Sequence, residues 1–312
     1  MSERFDSIQD DAPTGTAPAD PVAAAEAPVA LSDAQVRTWI ARSRPHSTRI
    51  WWWRRWGLMA AMIGAIILVI RTDTEDSLAR HLLPVGIMLG VLAFSGLFAR
   101  QVRRIQRLYG RALTEMQLRQ WPAALATLDQ LMRRPIDAAD VRSAALLWTA
   151  ELATRAGEHD AAVAALDEVL AIDANEHHRQ SAQTEKALAL LRAGRLAEAA
   201  ELLDAFRTIV FHEPMASVAE VGHLYHLVRT RAFEDAAARA DDLGRRARKV
   251  FQRQAGYVFG LIALALEQVG QGERAQAYYD CATRLMSPGE LGRRFAELAP
   301  LAQRLTPARS LL

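Results

Sequence analysis

Leu190-Leu191-Arg192-Ala193-Gly194-Arg195-Leu196-Ala197-Glu198-Ala199 packs an apolar helix end, a glycine and the start of a second amphipathic stretch into one short run. A glycine at that point ends one helix and lets the chain reverse into the next, because it reaches left-handed dihedrals without steric cost. A second version stands upstream, Thr154-Arg155-Ala156-Gly157-Glu158-His159-Asp160-Ala161-Ala162, and Gly270 marks a third. Arg119 and Arg231 hold the same place in two further segments, so that successive markers lie 38, 37, 37 and 39 residues apart. Four columns travel with them. Five positions after each marker stand Ala124, Ala162, Ala199, Ala236 and Ala275, and nine after stand Leu128, Leu166, Leu203, Ala240 and Tyr279. Twelve after come Leu131, Val169, Phe206, Leu243 and Ala282, and seven before come Ala112, Ala150, Ala187, Leu224 and Ala263. Small residues where two helices cross, and larger ones a turn further on, are what a stack of helical hairpins requires. The pattern predicts an all-α solenoid of about five helical hairpins within residues 101–305. A capping helix at 290–305 closes it, and 306–312 form a tail.

The two quoted turns, glycine followed five positions later by alanine, resemble those of the tetratricopeptide repeat family. The resemblance covers residues 105–288. It departs in period, which is 37–39 here against about 34 in the family. It departs also at the family's early tryptophan position, which holds Leu108, Leu146, Gln183, Glu220 and Phe259. The family's closing proline is missing or displaced in most repeats. A divergent array of this family and a generic α-solenoid both satisfy the columns. The resemblance implies that the first helix of each pair lines a concave groove, with positions 13, 10, 6 and 3 before each marker facing a partner. Those positions supply the groove candidates Leu147, Glu151, Tyr225, Tyr257 and Glu267, with small and aliphatic neighbours such as Ser181, Leu188, Val221 and Gly260. The set carries no Lys/Arg clamp for a peptide carboxylate. Tyrosines among aliphatics suit an apolar helix or extended segment, and equally suit packing between repeats.

The chain before the repeats reads differently. Residues 1–30 are rich in Ala, Pro and Asp and poor in large apolar side chains, the composition of a disordered tail. No basic segment leads at once into an apolar run, so no signal peptide is expected. Residues 31–50 contain a short amphipathic helix with Val36, Trp39 and Ile40 on one face. It is either a link toward a membrane or a helix lying in the headgroup layer on Trp39.

Two uncharged runs follow, about 56–70 and 82–99, within residues 51–100. A bilayer core of ~30 Å takes ~20 helical residues, so the runs are expected to form a two-helix transmembrane hairpin. Trp51, Trp52, Trp53, Arg54, Arg55 and Trp56 on one side, and Arg100, Arg103 and Arg104 on the other, become lipid-interface candidates. The Arg100–Arg111 run reads equally as a solvated helix face. Arginine excess on both flanks places both termini and the repeats in the cytoplasm of a multi-pass inner-membrane protein. The bacterial assignment comes from the Ala/Arg-rich composition. Gly86-x-x-x-Gly90 offers a surface for self-association between membrane helices.

Composition narrows the chemistry. Lys+Arg 38 against Asp+Glu 36 leaves a net charge of +2, too even for a dedicated nucleic-acid binder. One cysteine excludes an internal disulfide and a multi-cysteine zinc site. There is no phosphate-binding glycine loop and no nucleophile elbow. His177, His178, His212, His223 and His226, with Glu220, are the one histidine cluster, and they lack the His-Glu-x-x-His spacing of a metal-dependent hydrolase. The expectation is therefore no enzyme, no cofactor and no metal. The chain reads as a scaffold or adaptor that holds other proteins through its groove in a bacterial envelope process. The alternative is an accessory subunit of a larger membrane complex, with the specificity in the membrane hairpin.

Overall fold

Arg119, Gly157, Gly194, Arg231 and Gly270 all adopt positive φ, at 58, 82, 78, 61 and 77°. The hydrogen bonding around them is also the same. At each marker the N–H donates to the carbonyl three residues back, and the next N–H donates to the carbonyl five residues before itself: Glu158 to Ala153, Arg195 to Leu190, Ala232 to Leu227, Gln271 to Leu266 and Gln120 to Glu115. This double bond satisfies the orphan carbonyls at a helix end and turns the chain sharply. The second helix then begins at once.

The computed structural model describes residues 29–45, 64, 78–172, 175–211, 213 and 215–305. Every regular element among the described residues is a helix. Helix α1 spans Asp33–Ser43 and α2 Leu78–Gln117, followed by α3 (Trp121–Met132), α4 (Ala139–Ala156), α5 (His159–Ala171), α6 (Glu176–Arg192) and α7 (Leu196–Ala205). Then come α8 (Met215–Arg229), α9 (Phe233–Ala238), α10 (Ala240–Val250), α11 (Ala255–Gln268) and α12 (Gly272–Leu285). The chain closes with α13 (Pro288–Arg294), a 3-10 turn (Ala296–Leu298) and α14 (Ala299–Leu305). The hairpins are α2–α3, α4–α5, α6–α7, α8–α9/α10 and α11–α12, and each packs on its neighbours. All four residue columns are buried in every hairpin. The alanines five positions past each marker are fully buried, and their small size lets the two helices of a pair approach closely.

Helix α1 is held by protein, which corrects the headgroup reading of Trp39. It packs against α3, α4 and α5. Val36, Trp39 and Ile40 are buried there, and the Trp39 indole N–H donates to Asp129 Oδ1 at 3.0 Å. The Ser43 carbonyl accepts from the Ile136 N–H at 3.1 Å, and Arg44 meets Glu168 at 3.1 Å. An apolar stripe on a short helix seeks any apolar surface, and the repeats supply one.

The expected transmembrane hairpin is corrected too: among the described residues no helix is long and apolar enough to cross a membrane. The run at 56–70 lies outside the described residues, as do Trp51, Trp52, Trp53, Arg54, Arg55 and Trp56. The run at 82–99 is no separate span. It is the first half of α2, which continues unbroken through Arg100, Arg103, Arg104, Arg107 and Arg111 into the first hairpin. Its apolar stretch is one part of a 40-residue helix whose other half belongs to the repeats. Arg100, Arg103 and Arg104 are exposed on α2. Gly86 and Gly90 have nothing within 4 Å of where a Cβ would stand. The multi-pass inner-membrane placement is corrected along with the hairpin on which it rests.

The single capping helix expected at 290–305 is instead two short helices around the 3-10 turn. Ser287 Oγ accepts from the Glu290 N–H at 3.2 Å, and Pro288 opens α13. Leu291 and Leu298 cover the last repeat as a cap should. Leu298 sits so close to Gly260 that a Cβ there would come within 2.8 Å of it.

Candidate functional site

The first helices α2, α4, α6, α8 and α11 converge on a cavity of about 390 Å³. Trp121, Leu188, Val218, Val221 and Phe251 give it apolar wall; Glu151, Glu185, Arg155 and Arg192 give it charge. Arg294 and Phe295, from the end of α13, form its remaining side. The chain's own C-terminal segment thus lies along the face that the repeat pattern assigned to a partner.

Four of the five groove candidates touch that segment or the helix after it. Glu151 accepts from Arg294 at 2.8 Å and from Arg155 at 2.9 Å. Tyr225 is buried, stacks edge-on against Phe295 at 4.6 Å between ring centroids, and donates its hydroxyl to Glu297 at 3.1 Å. Tyr257 meets Phe295 at 5.8 Å and donates to Glu290 at 2.8 Å. Glu267 accepts a two-pronged bond from Arg304 of α14, at 2.7 and 2.8 Å. Leu147 is the exception: it is partly buried and packs on the core.

The sequence reading missed a column two positions before the markers, where Arg155, Arg192 and Arg229 stand in consecutive repeats. None of these arginines stands at the positions read as the groove. Arg155 lies 3.9 Å over the Trp121 ring and reaches Glu290 at 3.3 Å. Arg192 Nε donates to the Arg294 carbonyl at 3.2 Å. Arg229 donates to Glu297 at 2.5 Å. The signal was present in the alignment as Gln117, Arg155, Arg192, Arg229 and Gln268, one residue beyond the last position taken for the groove. An arginine at the last turn of a helix also complements the negative end of the helix dipole, so each sits on a stable base.

Electrostatics follow from this crowding. Burial alone would raise the Glu151 pKa, but the charges of Arg294 and Arg155 outweigh it and hold the carboxyl at about 2. For Glu290, burial is outweighed by the Tyr257 hydroxyl and Arg155, and its pKa falls below the usual range. Burial, with Arg294 adding repulsion, lowers Arg192 to about 10, which leaves it charged at neutral pH. Its two terminal nitrogens are buried and meet no acceptor among the described residues. Tyr257 is pushed up to about 12, chiefly by burial.

Of the histidine cluster, His212 lies outside the described residues. Among the described residues no group of three or more His, Cys, Asp or Glu is disposed to hold a metal ion. Burial lowers the pKa of His178 and His223. Cys281 is half-buried against the core.

No protein-family model matches the chain, and neither a curated protein nor a solved structure matches it.

Proposed function

We propose that this protein is a non-catalytic helical-repeat module that holds segments of partner proteins on the face formed by α2, α4, α6, α8 and α11. The observation that supports it best is the arginine column Arg155, Arg192 and Arg229, repeated in register along the first helices, with Arg155 and Arg192 lining a cavity of aromatic and aliphatic walls. A repeated charge on a rigid helix array gives a bound chain several equally spaced anchors, and the apolar wall between them takes its side chains. Arginine suits this place because its planar guanidinium pairs with carboxylates or backbone carbonyls and stacks on aromatic rings. The likeness of the turns to tetratricopeptide repeats supports the same use of the first helices.

The test is photo-crosslinking from single positions of the full chain in its native cells. Probes at Glu185 and Val218, which line the cavity, are expected to capture the same protein. Probes at Glu201 and Glu273, exposed on the second helices, should not capture it. Capture only from Glu201 or Glu273 would move the binding face and overturn the reading.

A further inference from the structure

A cap needs to cover only the last hairpin, and Leu291 and Leu298 do so against α11. Residues 287–298 do more. Arg294 reaches Glu151 on α4 and Glu185 on α6, at 2.8 and 3.5 Å. Glu297 reaches Arg229 and Tyr225 on α8. Glu290 takes Tyr257 from α11 and Arg155 from α4. Phe295 is buried between the Tyr225 and Tyr257 rings with the Arg192 guanidinium 5.2 Å from its centroid. The segment crosses three repeats away from its own position and meets all three arginines of the column.

We propose that residues 287–298 are a built-in ligand of the groove, which a partner must displace. The displacing partner segment is one that carries an aromatic side chain between acidic residues, as Phe295 stands between Glu290 and Glu297. This rests on the groove being the partner face and names what competes there and what chemistry wins. The acids suit Arg155 and Arg229, and the aromatic ring suits the Tyr225–Tyr257 pocket. The middle anchor favours exchange: the one hydrogen-bond acceptor Arg192 receives from the tethered segment is a backbone carbonyl, and its terminal nitrogens meet no acceptor among the described residues. A partner that places a carboxylate there makes a charge-assisted bond that the tethered segment does not. Tethering compensates, because a ligand on the same chain acts at an effective concentration on the order of millimolar. A free segment of the same sequence should therefore compete poorly until the tethered copy is weakened.

The experiment uses the full chain and a fluorescent synthetic peptide of residues 287–298, with binding read by anisotropy. Wild type is expected to take up the peptide weakly. The double variant Phe295→Ala with Glu297→Ala, with helicity and cooperative unfolding checked, should bind it at least tenfold more tightly. Adding Arg229→Ala should reverse most of that gain. Equal binding to wild type and variant, or none to the folded variant, overturns the proposal. Hydrogen exchange on the wild-type chain decides the matter if the variant does not fold. The amides of 289–298 should exchange at least a hundredfold faster than those of α6, through local opening. Equal protection would make the segment part of the cooperative core and sink the idea. Both readouts use purified protein, so a failed crosslinking search leaves their outcome unchanged.

Discussion

Helix α1 comes to the repeats from one end of the chain and residues 287–298 from the other. The first lies against α3, α4 and α5, the second across α4, α6, α8 and α11. Each buries three large apolar side chains: Val36, Trp39 and Ile40 in α1, and Leu291, Phe295 and Leu298 in the C-terminal segment. They differ in what surrounds those side chains. Around α1 the polar contacts are few, and the Arg44 side chain that joins Glu168 is mostly exposed, a pair that contributes little. Around the C-terminal segment, Glu290, Arg294 and Glu297 pair with partly buried groups from four helices. Apolar burial is strong and indifferent to register, whereas the ionic set fixes register and depends on protonation. One segment is fixed in place by area, and the other is addressed by charge.

The largest expected effect tests the first half of that contrast. Trp39→Ala should lower unfolding stability by about 3–5 kcal/mol, because a fully buried aromatic leaves a cavity that surrounding helices only partly fill. Denaturant unfolding of the full chain measures it. A loss under about 1 kcal/mol would mean α1 rests on the repeats without stabilising them, and the two segments would then be alike.

The second prediction concerns charge. Glu151 bridges Arg155 and Arg294, and its removal as Glu151→Gln should cost about 2–3 kcal/mol by leaving two arginines under-compensated. Its pKa of about 2 gives the pH dependence. A carboxylate depressed in the folded state stabilises above its ordinary pKa and loses that contribution as pH falls toward the folded value. Wild type should therefore lose about 2–3 kcal/mol between roughly pH 4.5 and 2 from this group, and Glu151→Gln should lose correspondingly less. Limited proteolysis with an acid-active protease should open the C-terminal segment before α1. Release of α1 first would reverse the comparison.

These contrasts also mark what the sequence made legible. The hairpin register was readable because a turn in left-handed dihedrals and a small residue at a close helix crossing are both local demands, repeated at a fixed period. The docking of α1 was not, since nothing in an amphipathic stripe says whether protein or lipid covers it. The same ambiguity produced the membrane hairpin. A run such as 82–99 states that a helix is apolar, but not that it continues into a repeat. The groove residues Glu151, Tyr225, Tyr257 and Glu267 were placed by register alone. Their occupant was hidden because Arg294 and Glu151 are 143 residues apart. The column of Arg155, Arg192 and Arg229 was legible and was passed over, because the positions came from the family's turn geometry and this period is longer.

The smallest effect separates the spine from both segments. Arg119 and Arg231 hold φ near +60°, which a side chain with a Cβ adopts at a cost of about 1 kcal/mol, while Gly157 holds the same turn without it. Arg231→Gly should therefore stabilise the fold, by up to about 1 kcal/mol less the extra entropy glycine gives the unfolded chain. Gly157→Ala, which meets no atom within 4 Å, should destabilise by about 1 kcal/mol through backbone strain alone. Arg231 is exposed and lies outside the cavity lining, so its replacement touches neither docking site. Thermal unfolding reads the stability change, and hydrogen exchange reads the opening of α1 and of 289–298 in the same samples. If the segments open locally, their exchange stays constant while that of α6 slows. If the C-terminal segment slows in step with α6, it unfolds only with the solenoid and belongs with α1 as architecture. Exchange in step for α1 alone would show that the repeats treat their two ends differently, as the balance of apolar and ionic contacts requires.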